Sequence, residues 1–385
     1  MKILIASDKF KGSLTALEAC EALHAGILEG TTRDDLEIRT APLSDGGEGM
    51  ARALTDASRG RWRTIEVLNA EGTPTIAGYG LSRDGKKGFV EMAEASGLEQ
   101  LAGTSLDPWN ATTYGTGQLV SAAIHSGIEE LILGIGGSAT NDGGAGMAHA
   151  LGYQFLDASG NPISNLPSDL ENAVEIKSPE RPIEVKVTVA CDVRNPLLGS
   201  QGATRVYGPQ KGIREEDFTR HEARLAHLCQ LSGDRGFNAA EEPGAGAAGG
   251  LGFGCHVFLD AKLESGFALV ARFLGLESHV AWADLVLTGE GKIDTQSLEG
   301  KAPFGVAQMA RKAGKPVAAF CGVYEPPEPL KSGEPDTRIE DSFGTILEIR
   351  REECSLEENL QRGHAHLRET ASLFASKMAS VSQAR

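Results

Sequence analysis

The chain has 385 residues, more than one ordinary core holds, so two domains are expected. A formal net charge of −16 argues against nucleic acid or an anionic membrane as partner, while leaving a nucleotide ligand open, because a few local Lys and Arg suffice for that. Glycine stands at 48 positions without a G-X-Y period and clusters after apolar runs, which excludes collagen and points to ligand loops.

Ile3–Ala6 reads as a short buried strand. Polar Ser7-Asp8-Lys9 follows at once, so no secretory leader is expected. Thr15-Ala16-Leu17-Glu18 is a capping box opening a helix to about Leu28. Leu36–Thr40 reads as a second strand and Gly46 to Ala57 as a second helix. Arg63–Leu68, Thr75–Leu81 and Lys87–Met92 read as a hairpin or meander. Thr113 to Ser126 predicts a helix and Leu131–Ile135 a strand. Leu151–His279 is long and loop-rich, with Val185–Ala190 its best strand. Leu285–Thr288, Val317–Cys321 and Thr345–Ile349 are further buried-strand runs, and Pro303 opens a helix to Ala313. Ser355-Leu356-Glu357-Glu358 opens a last helix, with Leu356, Leu360, Leu367, Ala371, Phe374 and Met378 on one face. No apolar run is long enough to span a membrane. The six cysteines show no CxxC spacing and read as reduced, cytoplasmic residues.

Strands alternating with helices predict an α/β fold with a doubly wound, Rossmann-like parallel sheet. Residues 1–60, 111–150 and 280–385 are expected to form it. A second α/β domain is expected to be inserted in two segments, 61–110 and 151–279. Ligands of open α/β sheets bind beyond the carboxyl ends of the strands. Four polar loops are therefore expected at one sheet edge, with Asn141 and Glu290 facing the same cleft. They are Ser7–Ser13, Ser44–Gly49, Gly134–Gly146 and Thr288–Asp294.

Each loop has a bland reading and a chemical one. In Gly134–Gly146 six of thirteen residues are glycine, which lets backbone N–H groups approach a phosphate closely. Gly136, Gly137, Ser138, Thr140 and Asn141 are the binding candidates there. The bland reading is a tight turn packing glycine against a helix. Gly134-Ile135-Gly136-Gly137-Ser138-Ala139 also fits a loose dinucleotide fingerprint, with Asp157 as its acid, but Gln154–Asp157 is only a marginal strand. Lys9, Lys11 and Ser13 precede a helix and suit an anion. Asp45 and Glu48 either cap the second helix or serve a ligand. Glu290, Lys292 and Asp294 combine carboxylates with a cation, as phosphoryl transfer with Mg²⁺ requires. Asp192, Arg194 and Asn195 follow the strand Val185–Ala190. Arg194 could grip a substrate carboxylate, and Asp192 is the candidate general base. The bland alternative is a loop salt bridge. Asp192, Lys9 and Arg194 are thus the candidates for the catalytic step, and Asp294 with Asp142 the candidates for metal. Gly244–Gly254 is either a mobile segment or a backbone-lined wall.

Asp8–Ser13, Pro42–Gly49, Gly136–Gly144, Gly244–Gly254 and Thr288–Asp294 resemble, in that order, the motifs of the bacterial glycerate kinase family. The resemblance runs to about Cys321; Arg351 onward carries little of it. It implies ATP-dependent phosphorylation of D-glycerate with Mg²⁺, giving 2-phosphoglycerate, with 3-phosphoglycerate as the variant product. It also implies a two-domain architecture, a small-molecule acid and a nucleotide as ligands, and leaves room for a homodimer. The residues alone reach no further than a phosphotransferase or phosphate-ligand protein. An NAD-linked hydroxy-acid dehydrogenase and a non-catalytic sugar-acid sensor are the rival readings.

Overall fold

The computed structural model describes residues 1–31, 33–44, 46–101, 103, 106–299, 301–327 and 336–383. Asp45 lies outside the described residues. Among those described, the strands are β1 (Lys2–Ser7), β2 (Glu37–Thr40), β3 (Arg61–Leu68), β4 (Pro74–Leu81), β5 (Lys87–Glu91), β6 (Glu130–Gly134), β7 (Gln154–Leu156), β8 (Glu175–Lys177), β9 (Lys186–Ala190), β10 (Lys262–Glu264), β11 (Leu285–Ile293), β12 (Val317–Tyr324) and β13 (Thr345–Glu348). The chain forms two compact units, one of residues 1–45 and 267–385, the other of residues 46–266.

The first unit holds a five-stranded, wholly parallel sheet in the order β13-β12-β11-β1-β2. Alternate residues feed two different cores. Leu4, Ala6, Val286, Ala319 and Cys321 enter one; Ile3, Ile5, Leu287, Ala318 and Phe320 enter the other. A sheet covered on both faces is why these strands read as continuous apolar runs. Burying each Ile or Leu contributes about 1.5–3 kcal/mol. The Thr15 capping box forms as expected over the helix Ala16–Glu29. That helix packs on the C-terminal helix Gly363–Gln383 at backbone distance: a Cβ on Gly26 would lie 2.2 Å from the Arg368 carbonyl oxygen. The Ser355 capping box also forms, but the last helix is broken into Leu356–Gln361 and Gly363–Gln383. The Ser13 side chain fills the break, where a Cβ on Gly363 would meet its Oγ at 2.0 Å.

The second unit holds a six-stranded mixed sheet, β10-β9-β6-β5-β4-β3, in which β3, β4 and β5 form the expected meander and β5, β6, β9 and β10 run parallel. Leu131, Leu133, Val187 and Val189 share a core with Leu119, Val120 and Ala123 of the helix Tyr114–His125.

Two expectations are corrected here. The expected segments 111–150 and 46–60 belong to the second unit, not the first, and residues 267–279 belong to the first. The cause is pairing: β6 lies between β5 and β9 instead of beside β1. It follows that the loops after β6 and β11 leave different sheets, so the expectation that Asn141 and Glu290 share one sheet edge falls. No helix among the described residues is long and apolar enough to cross a membrane. The six cysteines are all free.

Candidate active site

Within the first unit, the sheet reverses direction of winding between β1 and β11. In such sheets the crevice beyond the carboxyl ends at that point is where ligands bind. The polar loops here fall at that point. Ser7 pairs with Gly289, and Asp8 N–H continues the ladder to the Gly289 carbonyl at 2.9 Å. Asp8 Oδ1 accepts from the Lys9 N–H at 2.7 Å, which fixes the start of the loop. Phe10 and Leu14 then close a short turn. Gly291 lets β11 pass this turn closely, since a Cβ there would be 3.0 Å from the Lys11 backbone nitrogen. Lys9 and Lys11 therefore emerge beside β11. Ser13 does not join them: its Oγ donates to the Leu360 carbonyl at 2.6 Å. The expected anion ligand Ser13 is committed to a helix end.

Across from this turn, Glu290 is buried and accepts from Ser297 Oγ at 2.7 Å. Lys301 Nζ lies 3.5 Å from Glu290 and 4.0 Å from Asp294. Lys292 Nζ lies 3.2 Å from Asp294 and 2.8 Å from Glu325. Burial raises the Glu290 carboxyl above its ordinary range, against the opposing pull of Lys301 and Ser297. Glu325 and Asp294 hold the Lys292 ammonium above the usual lysine range. Thr288, on the same strand face as Glu290, has a buried Oγ1 with no hydrogen-bond partner. Two carboxylates, two ammonium groups and an orphaned hydroxyl at one strand end fit Mg²⁺ and phosphate. Mg²⁺ uses only one or two carboxylates and completes its shell with water and phosphate. Lys301 was not legible in the sequence, since it stands beyond the motif at the start of the helix Ala302–Lys312.

In the second unit the loop Gly134–Gly146 is an anchored structure. Asp142 is fully buried. Its oxygens accept from Thr113 N–H and Oγ1, both at 2.8 Å, and from the N–H groups of Gly144 at 3.0 Å and Gly146 at 3.2 Å. A carboxylate sealed from solvent and committed to four donors is a structural anchor of the loop, which corrects the expectation of Asp142 as a metal ligand. Among the described residues no group of three or more His, Cys, Asp or Glu could hold a metal. The glycines have packing duties too. A Cβ on Gly136 would meet Gly47 Cα at 2.7 Å, and one on Gly144 would meet Gly254 Cα at 3.0 Å. Only Gly137 is exposed, with Gly136 half-buried, so the ligand-accessible tip is much shorter than the motif.

The segment Gly244–Gly254 resolves into a wall. It forms the start of the kinked helix Ala247–Leu259, with Ala248, Gly249 and Gly250 at positive φ. These residues interlock with Thr140–Gly144: a Cβ on Gly249 would sit 1.9 Å from the Thr140 carbonyl oxygen. The helix Met50–Ala57 is held by Glu91, which accepts from Gly49 N–H at 2.9 Å and from Ala51 N–H. Of the two sequence candidates for that cap, Asp45 lies outside the described residues. Glu48 instead reaches toward Gly137, whose Cβ would lie 3.1 Å from its Oε1.

At the end of β9, Asp192 Oδ1 accepts from Ser265 Oγ at 2.6 Å and from Gly266 N–H at 3.0 Å. Arg194 is exposed. Asn195 is spent locally: its Nδ2 donates to Gln201 O at 2.8 Å and its Oδ1 accepts from Tyr207 at 2.6 Å. The dinucleotide reading fails on topology. β7 pairs antiparallel with β8 in a separate two-stranded sheet, and Asp157 closes its own turn through Ser159 and Asn161.

The chain thus joins a doubly wound α/β unit, with lysines and carboxylates at its switch point, to a mixed-sheet unit with an anchored glycine loop. The profile described as the glycerate kinase family matches residues 3–379, and the chain belongs to that family. It is 42% identical over 377 residues to a glycerate kinase of Halalkalibacterium halodurans, covering 96% of each chain. It is 43% identical to the glycerate 2-kinase of Escherichia coli, covering 84% of this chain and 85% of that one. A crystal structure from Salmonella typhimurium LT2, assigned as a glycerate kinase 2, is 39% identical with a TM-score of 0.84, covering 100% of this chain and 99% of that one.

Proposed function

We propose that this chain transfers the terminal phosphoryl group of ATP to the 2-hydroxyl of D-glycerate, giving 2-phosphoglycerate and ADP, in the cytoplasm. The single observation that carries the reading is family membership across residues 3–379. The charge at the β1–β11 switch point agrees with it.

Phosphoryl transfer asks a protein mainly for positioning and charge stabilisation. Glu290 and Asp294 would hold Mg²⁺, which supplies neutralisation of phosphate charge when bound. Lys9, Lys11, Lys292 and Lys301 add cationic charge for the nucleotide phosphates. At the end of β9, Arg194 grips the glycerate carboxylate bidentately. This brings the adjacent hydroxyl to Asp192. Asp192 takes the hydroxyl proton as the new O–P bond forms and ADP leaves. Its Oδ1 is oriented for this by Ser265 and Gly266. The exposed tip Gly136-Gly137 offers backbone N–H groups to the transferred phosphoryl group. The test is ADP release in a coupled assay over a panel of small hydroxy acids. Release with D-glycerate alone among C3 acids supports the reading; equal rates without any acid refute it.

A further inference from the structure

Lys211 lies inside the second unit and is 1% exposed. It follows the helix Ala203–Tyr207 in a single 3₁₀ turn, Pro209–Lys211. Its Nζ donates to Ser138 Oγ at 2.7 Å and to the Thr140 carbonyl at 2.6 Å. Behind the same loop, Arg224 donates to the Asn141 carbonyl at 3.1 Å and to that of Trp109 at 2.7 Å. Two buried cations thus brace one loop, and its buried carboxylate Asp142 attracts both. Burial pulls the Lys211 pKa down to about 7, against the attraction of Asp142. An ammonium in such a place is costly, and an apolar side chain of equal length would fill the volume with less penalty.

What the ammonium achieves is local. Ser138 is the first buried residue after the accessible Gly136-Gly137 tip. A second observation concerns the same residues: Thr140 Oγ1 and Asn141 Oδ1 are buried without hydrogen-bond partners. These two groups make no tie of their own, so the bonds that fix this stretch of the loop include those from Lys211 and Arg224.

We propose that Lys211 is a positioning residue of the phosphotransfer site, setting the Gly136-Gly137 tip through Ser138 and Thr140. The assignment rests on the functional reading above. Losing a hydrogen bond from a charged donor that orients the tip lowers kcat/KM by about tenfold or more.

The test is a double-mutant cycle of Lys211→Met and Ser138→Ala in the full chain. kcat and KM for ATP and D-glycerate are measured below the melting temperature, with the folded fraction read by circular dichroism. Each single variant is expected to lose about tenfold in kcat/KM at full folded fraction, and the double variant no more than the worse single. A merely structural lysine gives a loss that only tracks the folded fraction, and that overturns the assignment. So do singles with normal kinetics, or losses that multiply. If Lys211→Met does not fold, Ser138→Ala carries the test alone, and its normal kinetics would overturn the tie. A wild-type enzyme silent on D-glycerate refutes the functional reading and this assignment with it. An active wild type beside an undiminished Lys211→Met refutes only the assignment.

Discussion

Asp142→Asn separates a structural carboxylate from a metal ligand. The side chain accepts four hydrogen bonds in a fully buried site. Asn keeps the shape but turns one acceptor into a donor. In the mildest arrangement the new amide faces the Gly144 N–H. Two donors then oppose each other, at about 1–3 kcal/mol for the unsatisfied group. The three remaining bonds lose charge assistance, adding roughly 0.5 kcal/mol each. The sum is about 2.5–4.5 kcal/mol, which for a unit of this size lowers Tm by roughly 5–18 °C. Differential scanning calorimetry measures the shift, and an Mg²⁺ titration of activity accompanies it. Half-saturation by Mg²⁺ is expected to stay near the wild-type value. A Tm within about 2 °C of wild type, together with an Mg²⁺ requirement raised about tenfold or more, would refute the packing argument and restore Asp142 as a ligand.

Lys9→Ala is expected to fold, with stability within about 0.5 kcal/mol of wild type, and to lose turnover or nucleotide affinity; an unfolded or fully active variant contradicts it. Asp192→Asn should lose turnover by at least about 10²-fold while still binding ATP, as judged by equilibrium dialysis. If it keeps near-normal turnover and Asp294→Asn loses it, the two roles exchange. Glu290→Gln tests the buried carboxyl. Its pKa is raised by burial, so the stability it contributes is present at low pH and lost as pH rises through the raised value. The Gln variant has no such penalty. It should be at least as stable as wild type at about pH 8, with the advantage vanishing as pH falls toward the ordinary 4.5, and it should be catalytically impaired. A variant that is less stable at alkaline than at acid pH, relative to wild type, would contradict the burial argument.

Much of the fold was legible because parallel core strands carry their signature locally. Ile3–Ala6 and Val317–Cys321 read as strands since both faces are buried, and Thr15 and Ser355 read as caps since their partners stand three residues on. The division into units was not legible. Leu131–Leu133 would look the same beside β1 as it does between β5 and β9, and only pairing across distant sequence decides. The glycines misled for a related reason. Gly136 and Gly144 are needed where backbone meets backbone, and sequence does not distinguish that from a phosphate's approach. Lys211 and Arg224 gave no signal at all. Each is an ordinary basic residue in a polar stretch until the fold brings it, from more than seventy positions away, beneath the loop it holds.

The central claim is tested most directly by incubating the purified full-length chain with MgATP and D-glycerate, following ADP by a coupled assay and the product by ³¹P-coupled ¹³C NMR. ADP release that depends on D-glycerate, with the phosphorus coupling centred on C2, is the result expected. No D-glycerate-dependent ADP release would contradict the kinase reading outright, and coupling centred on C3 would overturn the position of transfer.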